Sequence, residues 1–316
     1  MNRDMTTLPW HQTFWWSVRR ELWEHRAIWQ APLAVACVIL AGFLISTSRL
    51  PNAMRAIDTT AAAARAIDPA NAKAVTAAAL AAARSSNAVE ATYSFMTLGV
   101  LLCAILVVMF YALGALHGER RDRSILFWKS LPVSDLTTVL AKAFVPLAIA
   151  PALVFAIAFV AHLVMLVWST VVLLVNGLDP GVLLSHLPFP FLWLALARGL
   201  VILTLWYAPV IGWLLLVSVW ARRAPILWAI GPLIAMAVFE RVAFNSTHLM
   251  AAILGHLAEG AAQAFSVDAK GQVPISELAD LDPMRFLGSS SLWIGLALTA
   301  AFLALAARLR RYRDPI

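Results

Sequence analysis

The stretch His117–Lys142, HGERRDRSILFWKSLPVSDLTTVLAK, decides the fold: it is the most charged interval between two long apolar runs and has an internal order of its own. Glu119, Arg120, Arg121, Asp122 and Arg123 form a charge cluster. Ser124 to Leu131 then reads as a short helix whose apolar side chains, Ile125, Leu126, Phe127, Trp128 and Leu131, cannot all face water. Pro132 stops it. Ser134 with Asp135 behind it is a helix N-cap with an acid in the first turn, so a new helix starts there and runs into the apolar segment beyond Leu140.

The flanking runs are too long for a globular core. The 316-residue chain is 62% hydrophobic and 13% charged, with a mean hydropathy of +0.81, which places it among all-α integral membrane proteins. A net charge of +7 does not point to nucleic acid, because Lys and Arg lie mostly at the ends of apolar runs rather than on one polar face. Cys37 and Cys103 sit inside apolar runs and act as small hydrophobes, so neither a disulfide framework nor a zinc site is expected. The first apolar run follows Arg19, Arg20 and Arg26 and is too long for a signal-peptide core, so no cleavable signal is expected.

Hydropathy predicts six spans, at 27–48, 92–116, 139–175, 191–220, 226–244 and 289–307, within one transmembrane domain covering 1–316. The third run exceeds what one crossing needs, which implies tilt or extension beyond the bilayer. Ahead of the first span, 9–26 has a helical period: Trp10, Phe14, Val18 and Leu22 mark one side and Ser17, Arg20, Glu21 and Glu24 the other. With Trp15, Trp16 and Trp23 beside them, this predicts an amphipathic helix lying in the membrane interface. Two sizeable external segments remain, 49–91 and 245–288. The first is Ala-rich and reads as a helical hairpin broken at Asp68–Pro69; the second carries a weakly amphipathic half, His248 to Phe265, and an acidic half.

Counting Lys and Arg gives orientation. The side with both termini, the His117–Lys142 stretch and the Arg222–Arg223 turn holds 15, against 7 on the longer opposite side. The positive-inside rule therefore puts both termini and the loop in the cytoplasm of a cell inner (plasma) membrane. No phosphate loop, nucleophile elbow or zinc-protease motif occurs, and the seven His residues form no ligand pair on a span. No catalytic, cofactor or metal residues are assigned, and the chain is not expected to be an enzyme. Within the spans, Arg198 and Glu240 are candidates for an intramembrane pair. Phe95, Met96, Met236 and Phe239 in outer halves are candidates for an adaptable apolar pathway.

The run Gly118 to Asp135 resembles the loop between the second and third spans of ABC transporter permeases of the type-two exporter class: an acidic-basic pair, a short apolar helix, then Leu-Pro-Val-Ser. Glu119, Arg120, Leu126, Leu131, Pro132, Val133 and Ser134 follow that pattern. The resemblance extends to six spans, an amphipathic N-terminal helix and a large external segment before the last span; the interval 52–91 is longer than the family's first external loop. What it implies is a cytoplasmic coupling helix in 117–138 that docks on a separate ATP-binding subunit through Glu119, Arg120, Arg121, Arg123, Ile125, Leu126, Phe127, Trp128, Leu131, Pro132 and Ser134. ATP and Mg would be bound by that partner and no cofactor by this chain. A second copy, or a homologous permease, would complete a pathway for an amphipathic or lipid-like substrate. The alternative is a membrane scaffold or regulator that uses the same loop to recruit a cytoplasmic protein without transporting anything.

Overall fold

A computed structural model describes residues 9–55, 59, 62, 72–124, 127, 133–187, 189–265 and 286–312. These are almost wholly helical, with no strand among them. In chain order the helices are α1 (Trp10–Glu24), α2 (Ala27–Ser46), α3 (Ala72–Gly114), α4 (His117–Arg121), α5 (Asp135–Phe144), α6 (Ala150–Val175), α7 (Gly181–His186), α8 (Phe189–Trp220), α9 (Pro225–Phe244), α10 (His248–Phe265) and α11 (Ser290–Tyr312). Among the described residues six helical stretches are long and apolar enough to cross a membrane: Ala27–Ser46, Ala91–Arg121, Asp135–Val175, Phe189–Trp220, Pro225–Phe244 and Ser290–Tyr312.

Two of these stretches differ from simple spans for local reasons. The third is interrupted by a π-helical turn, Val145–Ile149, between α5 and α6. Pro146 sits in that turn, where its missing N–H and its ring disfavour the regular i→i−4 ladder and favour a wider one. The second stretch is the end of a much longer rod. α3 runs unbroken for 43 residues, about 65 Å at 1.5 Å per residue, roughly twice the hydrocarbon thickness. The latter part of the Ala-rich interval is therefore continuous with the second span; the Asp68–Pro69 break lies outside the described residues.

The chain divides into two compact units. One comprises 1–29, 105–153 and 195–316, the other 30–104 and 154–194. The core of the first gathers Val18, Ile28, Tyr111, Leu116, Val139, Val145, Leu215 and Ala306. In the second, Tyr93 packs edge-on against Phe43 and Phe189, with Met96, Val100 and Met165 buried around them.

α1 carries a correction. Its buried stripe is Ser17, Val18 and Glu21, flanked by half-buried Phe14 and Leu22, whereas Trp10, Trp15, Trp16 and Trp23 are exposed. The side expected to be polar thus contributes two of the buried residues. The reason is that charges elsewhere in this unit receive Glu21.

α10 packs against α8 in the same unit. Trp206 stacks on His256 with ring centroids 4.8 Å apart; its indole N–H donates to the His256 carbonyl at 2.7 Å, and His256 Nε2–H returns a bond to the Trp206 carbonyl at 3.2 Å. Gly260 permits the approach, because a Cβ there would lie 2.4 Å from Trp206 Cδ1 and 2.8 Å from the Tyr207 ring.

Candidate functional site

The charged loop is rooted in a buried ionic node. Glu21 of α1 is fully buried and accepts from Lys142 Nζ at 2.7 Å, Arg20 at 2.7 Å and the Tyr111 hydroxyl at 3.0 Å. Glu119 of α4 accepts from Arg20 at 3.2 Å, lies 3.1 Å from Lys142 Nζ, and receives Arg310 of α11 at 3.1 Å. Arg310 also pairs with Asp135, the first residue of α5. The carboxylates Glu21, Glu119 and Asp135 thus face the cations Arg20, Lys142 and Arg310 in equal number, with the exposed Glu24 3.6 Å from Arg20 at the edge.

This balance matters because water is excluded. Lys142, Glu119 and Arg310 are all buried, and an ion stripped of water is tolerated only when partners replace its hydration. Burial alone pushes the Glu21 carboxyl up, but Lys142 and Arg20 outweigh it and hold it down at about 2. Glu21, Glu24 and His25 present ligand atoms close together. Both Glu21 oxygens, however, are already engaged by Lys142, Arg20 and Tyr111, so this triplet is part of the node rather than a metal centre.

A second set of bonds fixes α4 to the end of α8. Ser218 Oγ accepts from the backbone N–H groups of Leu116 and His117 at 3.0 and 2.9 Å. Arg120 donates to the carbonyls of Val219 and Ala221, and His117 Nδ1–H to that of Ala221 at 3.1 Å. A guanidinium on the last carbonyls of a helix satisfies acceptors that have no intrahelical partner and complements the negative end of the dipole. Farther on, the Ser134 hydroxyl accepts from the Thr137 N–H at 3.0 Å and caps α5.

The loop residues therefore divide. Glu119 and Arg120, expected on a docking surface, point inward and are buried, because Glu119 completes the ionic node and Arg120 caps α8. Arg121, Asp122 and Arg123 are exposed, as is Phe127. Arg123 adopts a left-handed backbone with φ 57°, which turns the chain sharply as it leaves α4. Ile125, Leu126, Trp128, Lys129, Leu131 and Pro132 lie outside the described residues.

Arg198 and Glu240 are not paired. The Glu240 carboxylate accepts instead from Ser246 Oγ at 2.6 Å and from the N–H groups of His248 and Leu249 at 2.7 and 2.8 Å, placing an anion on the unsatisfied donors at the start of α10. Arg198 Nε is buried without a partner among the described residues. Met96 is fully buried and Phe95 exposed within one unit; in the other, Met236 and Phe239 are exposed on α9. With Ala235, Glu240, Phe244 and Leu249 those two line an open, apolar depression.

Sequence reasoning passes over the node's strongest members. Lys142 is legible as a cation seven residues inside a helix that starts at Asp135, two turns deep by helical rise. Arg310 is one of several C-terminal arginines and nothing local marks it. His162 is one of the scattered histidines in the sequence, yet it is buried and bonds through Nε2 to the Tyr93 carbonyl at 3.1 Å, with Thr97 Oγ1 3.2 Å away. Comparison with protein-family models, with curated proteins and with solved structures returns no match.

Proposed function

We propose that this chain is the membrane-spanning subunit of an ATP-driven exporter, coupled through the 117–138 loop to a separate cytoplasmic ATP-binding protein. The observation that carries the reading is the way both ends of that loop are anchored. Glu119 on the entering side and Asp135 on the leaving side share Arg310, while Lys142 and Arg20 tie the same carboxylate cluster to α5 and α1. A push on the intervening segment would not be absorbed at soft hinges; it would be delivered to α1, α3, α5 and α11 together. Such rigidity suits a segment that receives work from elsewhere. A plain connecting loop has no need of it.

In this reading the node lies on the cytoplasmic side of an inner membrane, α1 rests on the membrane surface, and nucleotide and Mg belong to the partner. Two copies of the chain, or one with a homologue, supply one loop for each ATPase. The apolar depression on α9 fits an amphipathic or lipid-like cargo. The test is co-purification of the full chain from its native cells, followed by ATPase assay in bilayers. A co-purifying ATPase that is lost on Phe127→Ala/Trp128→Ala, with the permease still folded, supports the reading. Recovery of a cytoplasmic partner with no ATPase activity would favour a recruiting scaffold, and recovery of none would overturn both.

A further inference from the structure

The outward side of α1 repeats a small unit, Trp-x-x-Arg, at Trp16–Arg19 and again at Trp23–Arg26. In both, the guanidinium carbon stands 5.9 Å from the indole centroid, within the range of a cation–π contact. Trp16, Arg19 and Trp23 lie on the helix face opposite the buried Ser17, Val18 and Glu21. Seven residues separate the units, about 10 Å of helical rise, close to the spacing of neighbouring lipid headgroups in a bilayer.

The two arginines differ from those of the node. Arg20, between them in sequence, is committed to Glu21, Glu119 and Glu24. Arg19 and Arg26 are exposed and have no carboxylate within ion-pair reach among the described residues. Each is held over a ring that favours the headgroup level, shortly before Ala27, where the first apolar span begins. A planar fork of donors pre-oriented on an indole suits a phosphate, which it can bind through two parallel bonds. The apolar rings beside it suit the glycerol and upper acyl chain of the same molecule.

We propose that Trp16–Arg19 and Trp23–Arg26 form a pair of sites for the phosphate headgroups of anionic phospholipids. They select acidic over zwitterionic lipid and fix α1, and through Glu21 the ionic node, at a set height on the membrane. This rests on the membrane-surface placement of α1 proposed above.

The test uses the full chain with phosphatidylglycerol and phosphatidylcholine as probes. Lipid retention by native mass spectrometry should show each of the first two phosphatidylglycerol molecules held about five-fold more tightly than phosphatidylcholine, about thirty-fold for the pair, from the attraction expected of one cation per headgroup at an anionic surface. Arg19→Gln/Arg26→Gln should bring that preference close to unity, Arg19→Lys/Arg26→Lys should keep part of it, and Arg222→Gln/Arg223→Gln should leave it intact. An unchanged preference in Arg19→Gln/Arg26→Gln would overturn the proposal, as would displacement of the lipid by equimolar inorganic phosphate. A separate arm reads placement: lipids brominated near the glycerol should quench wild-type fluorescence more than that of Trp16→Phe/Trp23→Phe. Equal quenching means that α1 is not at the surface and removes the premise; a quenching difference without lipid preference removes only the headgroup sites. Unfolding midpoints of all variants guard against misfolding, since none of these four residues belongs to the buried stripe.

Discussion

Glu21 and Lys142 stand 2.7 Å apart, both with almost no exposed side-chain surface, so neither can be removed quietly. Lys142→Ala leaves two buried carboxylates one cation short in a dry site and is expected to lower unfolding free energy by about 3–5 kcal/mol. Glu21→Gln/Lys142→Met should recover much of that loss, because two neutral groups need no hydration. Chemical denaturation of the four members of this double-mutant cycle measures the coupling. Acidity should act through the same residue. A carboxyl held at about 2 in the fold, against an ordinary value near 4.5, adds stability that is complete above the ordinary value and disappears as the pH falls towards about 2. The gap between wild type and Glu21→Gln should therefore shrink by on the order of 3 kcal/mol between about pH 6 and about pH 2. Ser134 could be picked out by eye because a cap acts on adjacent residues. The partners of Glu119 could not, because Arg310 is 191 positions downstream and only tertiary packing selects it from its neighbours Arg308, Arg311 and Arg313.

At the level of elements, the length of the apolar runs foretold six helices long and apolar enough to cross a membrane, since a bilayer imposes one length and one polarity on each. Periodicity located the faces of α1 less well. A helix whose buried stripe contains Ser17 and Glu21 looks reversed when charge is taken as a sign of solvent. Close packing leaves a different trace. α8 and α10 meet where Gly260 faces Trp206 and Tyr207, whereas a Cβ added at Gly255 on the same helix would meet nothing within 4 Å. Gly260→Ala should be destabilising by about 1–3 kcal/mol through overpacking against two aromatic rings, despite the gain in helix propensity. Gly255→Ala should be neutral or stabilising by up to about 1 kcal/mol. Limited proteolysis of α10 and Trp fluorescence read both variants.

For the whole molecule, the orientation proposed from charge counts has a direct check. In a Cys37→Ala/Cys103→Ala background, an impermeant maleimide applied to intact cells should label Asp179→Cys and spare Arg123→Cys, with the pattern reversed in inside-out vesicles. The node adds an ordering in time. Spans enter the membrane in the sequence in which the ribosome delivers them, and Glu21, Glu119 and Asp135 all emerge long before Arg310. Until α11 is made, Glu119 has only Arg20 and Lys142 for company and Asp135 lacks its guanidinium, so the node is short of one positive charge. Arrival of the last helix closes that deficit in a single step. The contacts of Arg310 with both ends of the loop are therefore the last of the node's ion pairs that the chain can form, and a chain stalled before α11 would keep Asp135 without its cation.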